Sequence, residues 1–130
     1  MTSFTDSKPI YLQIADRICD DIMIGTYGEG ERIPSVREYA QLIEVSANTV
    51  ARTFEYLQNQ GIIYNRRGVG LFVEEHAAAA IKHMRHKAFI DTELEPFMRK
   101  AAMLDIAEDE LLEAYRQQRR ALHAQQRDDG

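Results

Sequence analysis

No stretch of this sequence approaches the ~20 consecutive apolar residues of a membrane-spanning helix. The N-terminus, with Thr2, Ser3, Thr5, Asp6, Ser7 and Lys8, lacks the basic and apolar regions of a signal peptide. These absences predict a soluble, cytoplasmic protein with no membrane partner. Cysteine is nearly missing as well: Cys19 stands alone, which rules out an internal disulfide and suits a reducing compartment. It falls on a helical pattern and reads as an ordinary buried or half-buried residue, not a redox switch. An excess of positive charge is also lacking, with 16 Lys+Arg against 21 Asp+Glu and a net of −5. Residues 1–75 hold 7 against 11, and residues 76–130 hold 9 against 10. Bulk attraction to nucleic acid is therefore excluded, and any such contact must come from a local group of arginines at a defined site.

Signatures of catalysis are absent too. No nucleophile elbow, phosphate-cradling glycine loop or metalloprotease motif occurs. His83 and His86 are three apart and could share a helix face, but no third ligand stands at useful spacing and His76 is two turns away. Glu74-Glu75 reads as a hairpin end, and Glu108-Asp109-Glu110 as the acidic first turn of a helix. The expectation is a non-enzyme that needs neither metal nor cofactor.

What the chain does contain is an ordered set of helix and hairpin signals. A length of 130 residues fits one domain, or a small domain with an appendage. A first helix is predicted from a cap near Ser7–Pro9, with Ile10, Ile14, Ile18 and Ile22 in one stripe beside Tyr11 and Ala15. Gly25 ends it, and Gly28-Glu29-Gly30 forms a turn. A second helix opens at Ser35, with Glu38 placed to close a capping box and Val36, Tyr39, Ala40 and Ile43 facing inward. A third opens at Ser46, turns Val50, Phe54 and Leu57 to the core, and leaves Asn48, Thr49, Arg52 and Asn59 outside. Gln60-Gly61 stops it. Ile62-Ile63-Tyr64 and Leu71-Phe72-Val73 then flank Asn65-Arg66-Arg67-Gly68 as a hairpin. The fold class is mainly α with a small β wing: a winged helix-turn-helix over residues 1–75, followed by a helical dimerisation tail over 76–130. In the tail Pro96 should kink or divide a long helix, Asp105–Asp109 should break and restart it, and the polar stretch from Arg116 should fray.

Two short helices across a tight turn, followed by a basic hairpin, suit the reading of duplex DNA. Arg37 lies in the first turn of its helix, where the dipole disfavours a cation, so an external phosphate is the natural partner. Asn48, Thr49 and Arg52 are candidate base-edge readers: Arg can grip guanine, Asn adenine, and a Thr methyl can meet a thymine methyl. Arg66 and Arg67 repel each other unless an anion visits, and Gly68 lets backbone approach closely. The capping serines Ser35 and Ser46 complete the candidate DNA-binding set. In the tail Ile81, Met84, Met98, Leu111, Leu112, Tyr115 and Leu122 offer apolar faces with too little mass to enclose them, so they should pack on a second copy.

At these residues the chain resembles the GntR family of bacterial transcription regulators. The resemblance runs through Tyr11-Leu12-Gln13-Ile14, Gly25, Gly30, Ile33-Pro34-Ser35-Val36-Arg37, Val45-Ser46, Asn48-Thr49-Val50, Leu57, Gly61 and Gly68-Val69-Gly70-Leu71-Phe72-Val73. It implies a homodimeric winged helix-turn-helix on a palindromic operator, with Arg37 and Thr49 at DNA-meeting positions and Gly68 at the wing tip. The arginine common after Val-Ser is Ala47 here. The basic residue common two positions beyond the Thr is Ala51, with Arg52 one step on. The short tail is similar to that of the YtrA subfamily, whose members dimerise through it and often sit beside transporter genes; larger ligand-binding domains would not fit in it. The expected function is a repressor. An alternative is a winged-helix module for protein assembly without DNA contact, against which Arg37, Arg66 and Arg67 argue, since such a surface prefers apolar or aromatic anchors. The sequence names no operator, no regulated gene and no small-molecule effector.

Overall fold

The computed structural model describes residues 8–128, with one compact unit ending at Lys87 and another beginning at Ala88. The Ser7 cap expected for the first helix lies outside the described residues. Pro9 occupies the N-cap position of α1 (Ile10–Met23), whose Ile14, Ala15, Ile18, Cys19 and Ile22 are buried. Ile10 belongs to the same stripe by spacing but is 47% exposed, at the first position of the helix. Gly25, with φ 89°, lets the chain reverse after the helix.

α2 (Val36–Ile43) and α3 (Ala47–Asn59) start on the serines that the sequence nominates. Ser35 Oγ accepts from Glu38 N–H and Glu38 Oε1 accepts from Ser35 N–H, both at 3.1 Å, which completes the capping box. Ser46 Oγ accepts from Thr49 N–H at 3.2 Å. Tyr39 and Ala40 of α2 and Val50, Phe54 and Leu57 of α3 join the α1 stripe in one core. Each large apolar side chain so enclosed contributes roughly 1.5–3 kcal/mol. Thr53, read as neither core nor surface from the sequence, is fully buried against α1.

β1 (Ile63–Arg66) and β2 (Gly70–Val73) pair antiparallel, with Ile63 opposite Val73 and Arg66 opposite Gly70. The segment after the Gly28–Gly30 turn adds a short third edge that the sequence reading did not foresee. Gly30 N–H and Ile33 N–H donate to Val73 and Leu71 carbonyls, and Val73 N–H donates to Glu31. These bonds hold the wing against the approach to α2.

α4 (Ala77–Phe89) adds to the core of the first unit. Ala77 and Ile81 are fully buried in the N-terminal core, and Met84 packs against it, its sulfur accepting from Tyr56 Oη at 3.4 Å. Arg85 Nη2 donates to the Asp16 carbonyl at 3.2 Å and to Asp20 Oδ1 at 2.7 Å. The first compact unit therefore runs on through Lys87. Ile81, expected on a dimer face, is a core residue with no surface to offer.

In the second unit a π-helical turn (Ile90–Leu94) leads into α5 (Glu95–Met103), with Pro96 at its start. Proline cannot donate to the carbonyl four residues back and its ring crowds that position, so the wider turn falls where the sequence placed a break. Asp105, in the left-handed region with φ 55°, separates α5 from α6 (Glu108–Asp128). The tail does not fray from Arg116: α6 continues to Asp128, with Arg120 paired to Glu113 at 2.9 Å. Met98, Leu112, Tyr115 and Leu122 are exposed, as are Phe97, Met103 and Leu104. Among the described residues no helix is long and apolar enough to cross a membrane.

Burial pushes the Cys19 thiol from its ordinary 9.0 up to about 11, and the Tyr39 hydroxyl from 10.0 up to about 12. Unfolding would release protons from both above pH 9, so folded stability should hold below that pH and fall as pH rises toward 11. Urea midpoints across this range test it; a flat profile would contradict the assignment. Cys19 in the folded protein should also resist thiol reagents at pH 8, where the unfolded chain reacts freely.

Candidate nucleic-acid interface

The side chains nominated by the sequence gather into two groups. The first surrounds the start of α3. Asn48 and Arg52 are exposed, and Thr49 is half-buried. The Thr49 hydroxyl lies 2.8 Å from Ser46 Oγ, so this pair is locked by the helix cap. An open depression of about 350 Å³ lies here, lined by Asn48, Thr49 and Arg52 on one side and by Pro9, Ile10 and Tyr11 on the other. Arg52 carries its guanidinium carbon 4.1 Å from the centre of the Tyr11 ring. Neither Ile10 nor Tyr11 was a candidate from sequence; Tyr11 lies in the family-like motif, which gave it no role.

The second group joins the wing to the N-terminus of α2. Arg66 and Arg67 do not form a symmetric tip. Arg66 is the last residue of β1, and its guanidinium carbon lies 5.1 Å from the centre of the Phe72 ring, which itself stacks on Tyr64. Arg67 sits in the turn, exposed, where Val69 N–H closes on the Arg66 carbonyl at 2.8 Å. Gly68 there has φ 78°, the left-handed backbone that the third position of a type II turn requires. Arg32, which the sequence reading missed, lies along the wing beside Gly70. Its Nε would lie 2.8 Å from a β-carbon on Gly70, and its Nη2 reaches Glu38 at 3.5 Å. Glu38 is held below the usual carboxylate range, first by the Ser35 backbone N–H, with the Ser35 hydroxyl and Arg32 adding to it. Arg37 stands next to it, exposed on the first turn of α2.

The charge arrangement separates two kinds of arginine. Arg32, Arg85, Arg99 and Arg120 each meet a carboxylate. Among the described residues no ion pair involves Arg37, Arg52, Arg66 or Arg67. Those four retain donors suited to phosphate oxygens or base edges. Among the described residues no group of three or more His, Cys, Asp or Glu side chains could hold a metal.

The sequence profile of the gntR family of bacterial regulatory proteins matches residues 10–73, from α1 to the end of the wing. The chain is 37% identical over 110 residues to the HTH-type transcriptional regulator YhcF of Bacillus subtilis strain 168, covering 85% of this chain and 89% of that one. It is 36% identical over 75 residues to the HTH-type transcriptional repressor YtrA of the same organism, 58% of each chain. A crystal structure of a GntR-family transcriptional regulator from Bacteroides thetaiotaomicron superposes with a TM-score of 0.77 at 47% identity, over 88% of this chain and 99% of that one.

The wing geometry sets an expectation for salt dependence. Arg67→Ala should weaken binding to every DNA sequence and lower the slope of log affinity against log salt by about one. Arg66→Ala should cost less, because its guanidinium is drawn back over Phe72. Fluorescence anisotropy across a salt series measures both; a slope unchanged by Arg67→Ala would mean that the wing stays clear of phosphate.

Proposed function

The chain belongs to the gntR family of bacterial regulatory proteins, and on that footing we propose that it is a cytoplasmic homodimeric repressor that reads a palindromic operator. The observation that carries this is the outer face of α3. It follows the helix-turn-helix turn, presents Asn48, Thr49 and Arg52 together, and leaves Arg52 without a carboxylate partner. In a helix seated in the major groove these side chains would meet base edges, while Arg37 and Arg67 would meet backbone phosphates. Repression is favoured by the likeness to YtrA, which is itself a repressor. The face is polar and cationic, which suits DNA and not an assembly partner that needs apolar anchors. A regulator of this kind needs no catalysis and no cofactor.

The homodimer is supported by the second unit. Met98 is 46% exposed, Tyr115 61% and Leu122 55%, and Leu112 lies beside them in sequence with a similar exposure. Leu111 is half-buried and Met84 is committed to the first unit, so the dimer face we assign is Met98, Leu111, Leu112, Tyr115 and Leu122, widened by Phe97 and Leu104. Apolar surface of this kind is stabilised by a symmetric partner. Two copies would present two reading helices about one helical turn, ~34 Å, apart on the duplex.

Selection from random DNA should return an inverted repeat with that spacing. A chain ending at Lys87 keeps Ala77 and Ile81 in the core, and should fold, run as a monomer in light scattering and bind the selected site at least 100-fold more weakly, a multivalency loss of the order ~10²–10⁴. A cut after Glu75 should instead destabilise the fold by removing those two core residues. Tight dimeric binding by the 1–87 chain would move the dimer interface into the first unit.

A further inference from the structure

We propose that Tyr11, on α1 and outside the reading helix, is the positioning residue that holds Arg52 ready for a guanine. Base preference at one position of the DNA site would then depend on α1. This deepens the DNA-reading role assigned above and rests on it.

The argument begins with how Arg52 is held. Its guanidinium carbon lies 4.1 Å from the Tyr11 ring centre, so the cation is held over the face of the ring. A carboxylate partner would have consumed N–H donors, as at Arg85, where one nitrogen serves both Asp20 and the Asp16 carbonyl. A ring restrains the guanidinium and leaves its N–H edge open, and that edge makes the bidentate contact to guanine O6 and N7. Restraint before binding also reduces the rotamer entropy that a long exposed side chain would lose on reaching the base.

Tyr11 is itself fixed from both ends. Its carbonyl accepts the buried Thr53 hydroxyl at 2.7 Å, and its ring meets Tyr56 edge-on, with centroids 6.3 Å apart and planes at 79°. Tyr56 in turn reaches Met84 of α4. Thr53 and Arg52 are adjacent on α3, so backbone and side chain of the same tyrosine are gripped by consecutive residues. The depression beside this stack, walled by Asn48 and Thr49, leaves the Arg52 edge accessible from outside.

The test uses the full-length protein and the DNA site obtained by selection, with every base at every position measured by competition. Tyr11→Leu should lower the preference for guanine at a single position by about two- to fivefold, the size of an exposed cation–π contact, and leave other positions unchanged. Tyr11→Phe should retain the parent profile, since the ring face remains. In an Arg52→Ala background, Tyr11→Leu should have no further effect on base preference. A folded Tyr11→Leu protein with the parent profile would overturn the proposal, as would a loss that persists without Arg52. If circular dichroism shows Tyr11→Leu to be unfolded, a fluorinated phenylalanine at position 11 decides the matter. It keeps the shape and weakens the ring's attraction for a cation, so the same single-position loss relative to Tyr11→Phe is expected, and no loss overturns the idea. A parent protein that enriches no DNA sequence would sink the DNA-reading role itself, an outcome distinct from an unchanged profile.

Discussion

One buried hydroxyl ties the outer turn of α3 to α1. Thr53 is the single buried polar residue among the described residues, and its Oγ1 sits 2.7 Å from the Tyr11 carbonyl and 3.2 Å from that of Thr49. The Thr49 carbonyl stays within its reach in any register of α3 on α1, so what the Tyr11 bond adds is a net of about 0.5–1.5 kcal/mol for the one register in which both are made. Apolar packing of Ile14 and Ile18 against Val50, Phe54 and Leu57 supplies most of the attraction between these helices, but packing alone tolerates small slides. The hydroxyl narrows that freedom at the turn of α3 that carries Asn48, Thr49 and Arg52.

The wing is restrained by a different device. Its two strands are only four residues each, too few to stand alone, and the Gly30–Ile33 segment completes them with three backbone bonds. That same segment runs directly into Ser35 and the capping box. The wing is thus joined to the start of α2 through covalent chain, and Arg32, whose side chain lies beside Gly70, reaches Glu38 at 3.5 Å. Gly70 has φ 143°, a backbone conformation that residues with a β-carbon rarely adopt, and a β-carbon there would also crowd Arg32.

Much of this was legible in the sequence where the causes are local. Ser35 with Glu38, Ser46 with Thr49, and Gly61 after Gln60 act over a few residues, so their patterns announce helix ends directly. Core positions at helical spacing were equally plain. What escaped was long-range. Ile81 and Met98 look alike as apolar positions on a helical stretch, yet one is sealed in the core and the other is half exposed, because α4 begins by packing back on α1. Arg52 and Tyr11 lie far apart in sequence, and no local pattern predicts that one will cover the other. The fate of Arg66, drawn over Phe72, follows from strand register and not from its neighbour Arg67.

These placements also account for how an acidic chain can address a polyanion. With a net charge of −5, long-range steering toward DNA is weak, and a surface covered in ion pairs would add nothing. Carboxylates meet Arg32, Arg85, Arg99 and Arg120, whereas rings back Arg52 and Arg66, and among the described residues no ion pair involves Arg37 or Arg67. An arginine backed by a ring retains its full charge and its donors, so attraction is concentrated where geometry can also be checked. Weak general attraction combined with a few oriented donors favours discrimination over bulk affinity, because a site that does not match the donors has little else to offer. In this chain it is the placement of rings and carboxylates around individual arginines, not their number, that decides which guanidinium groups keep their donors open.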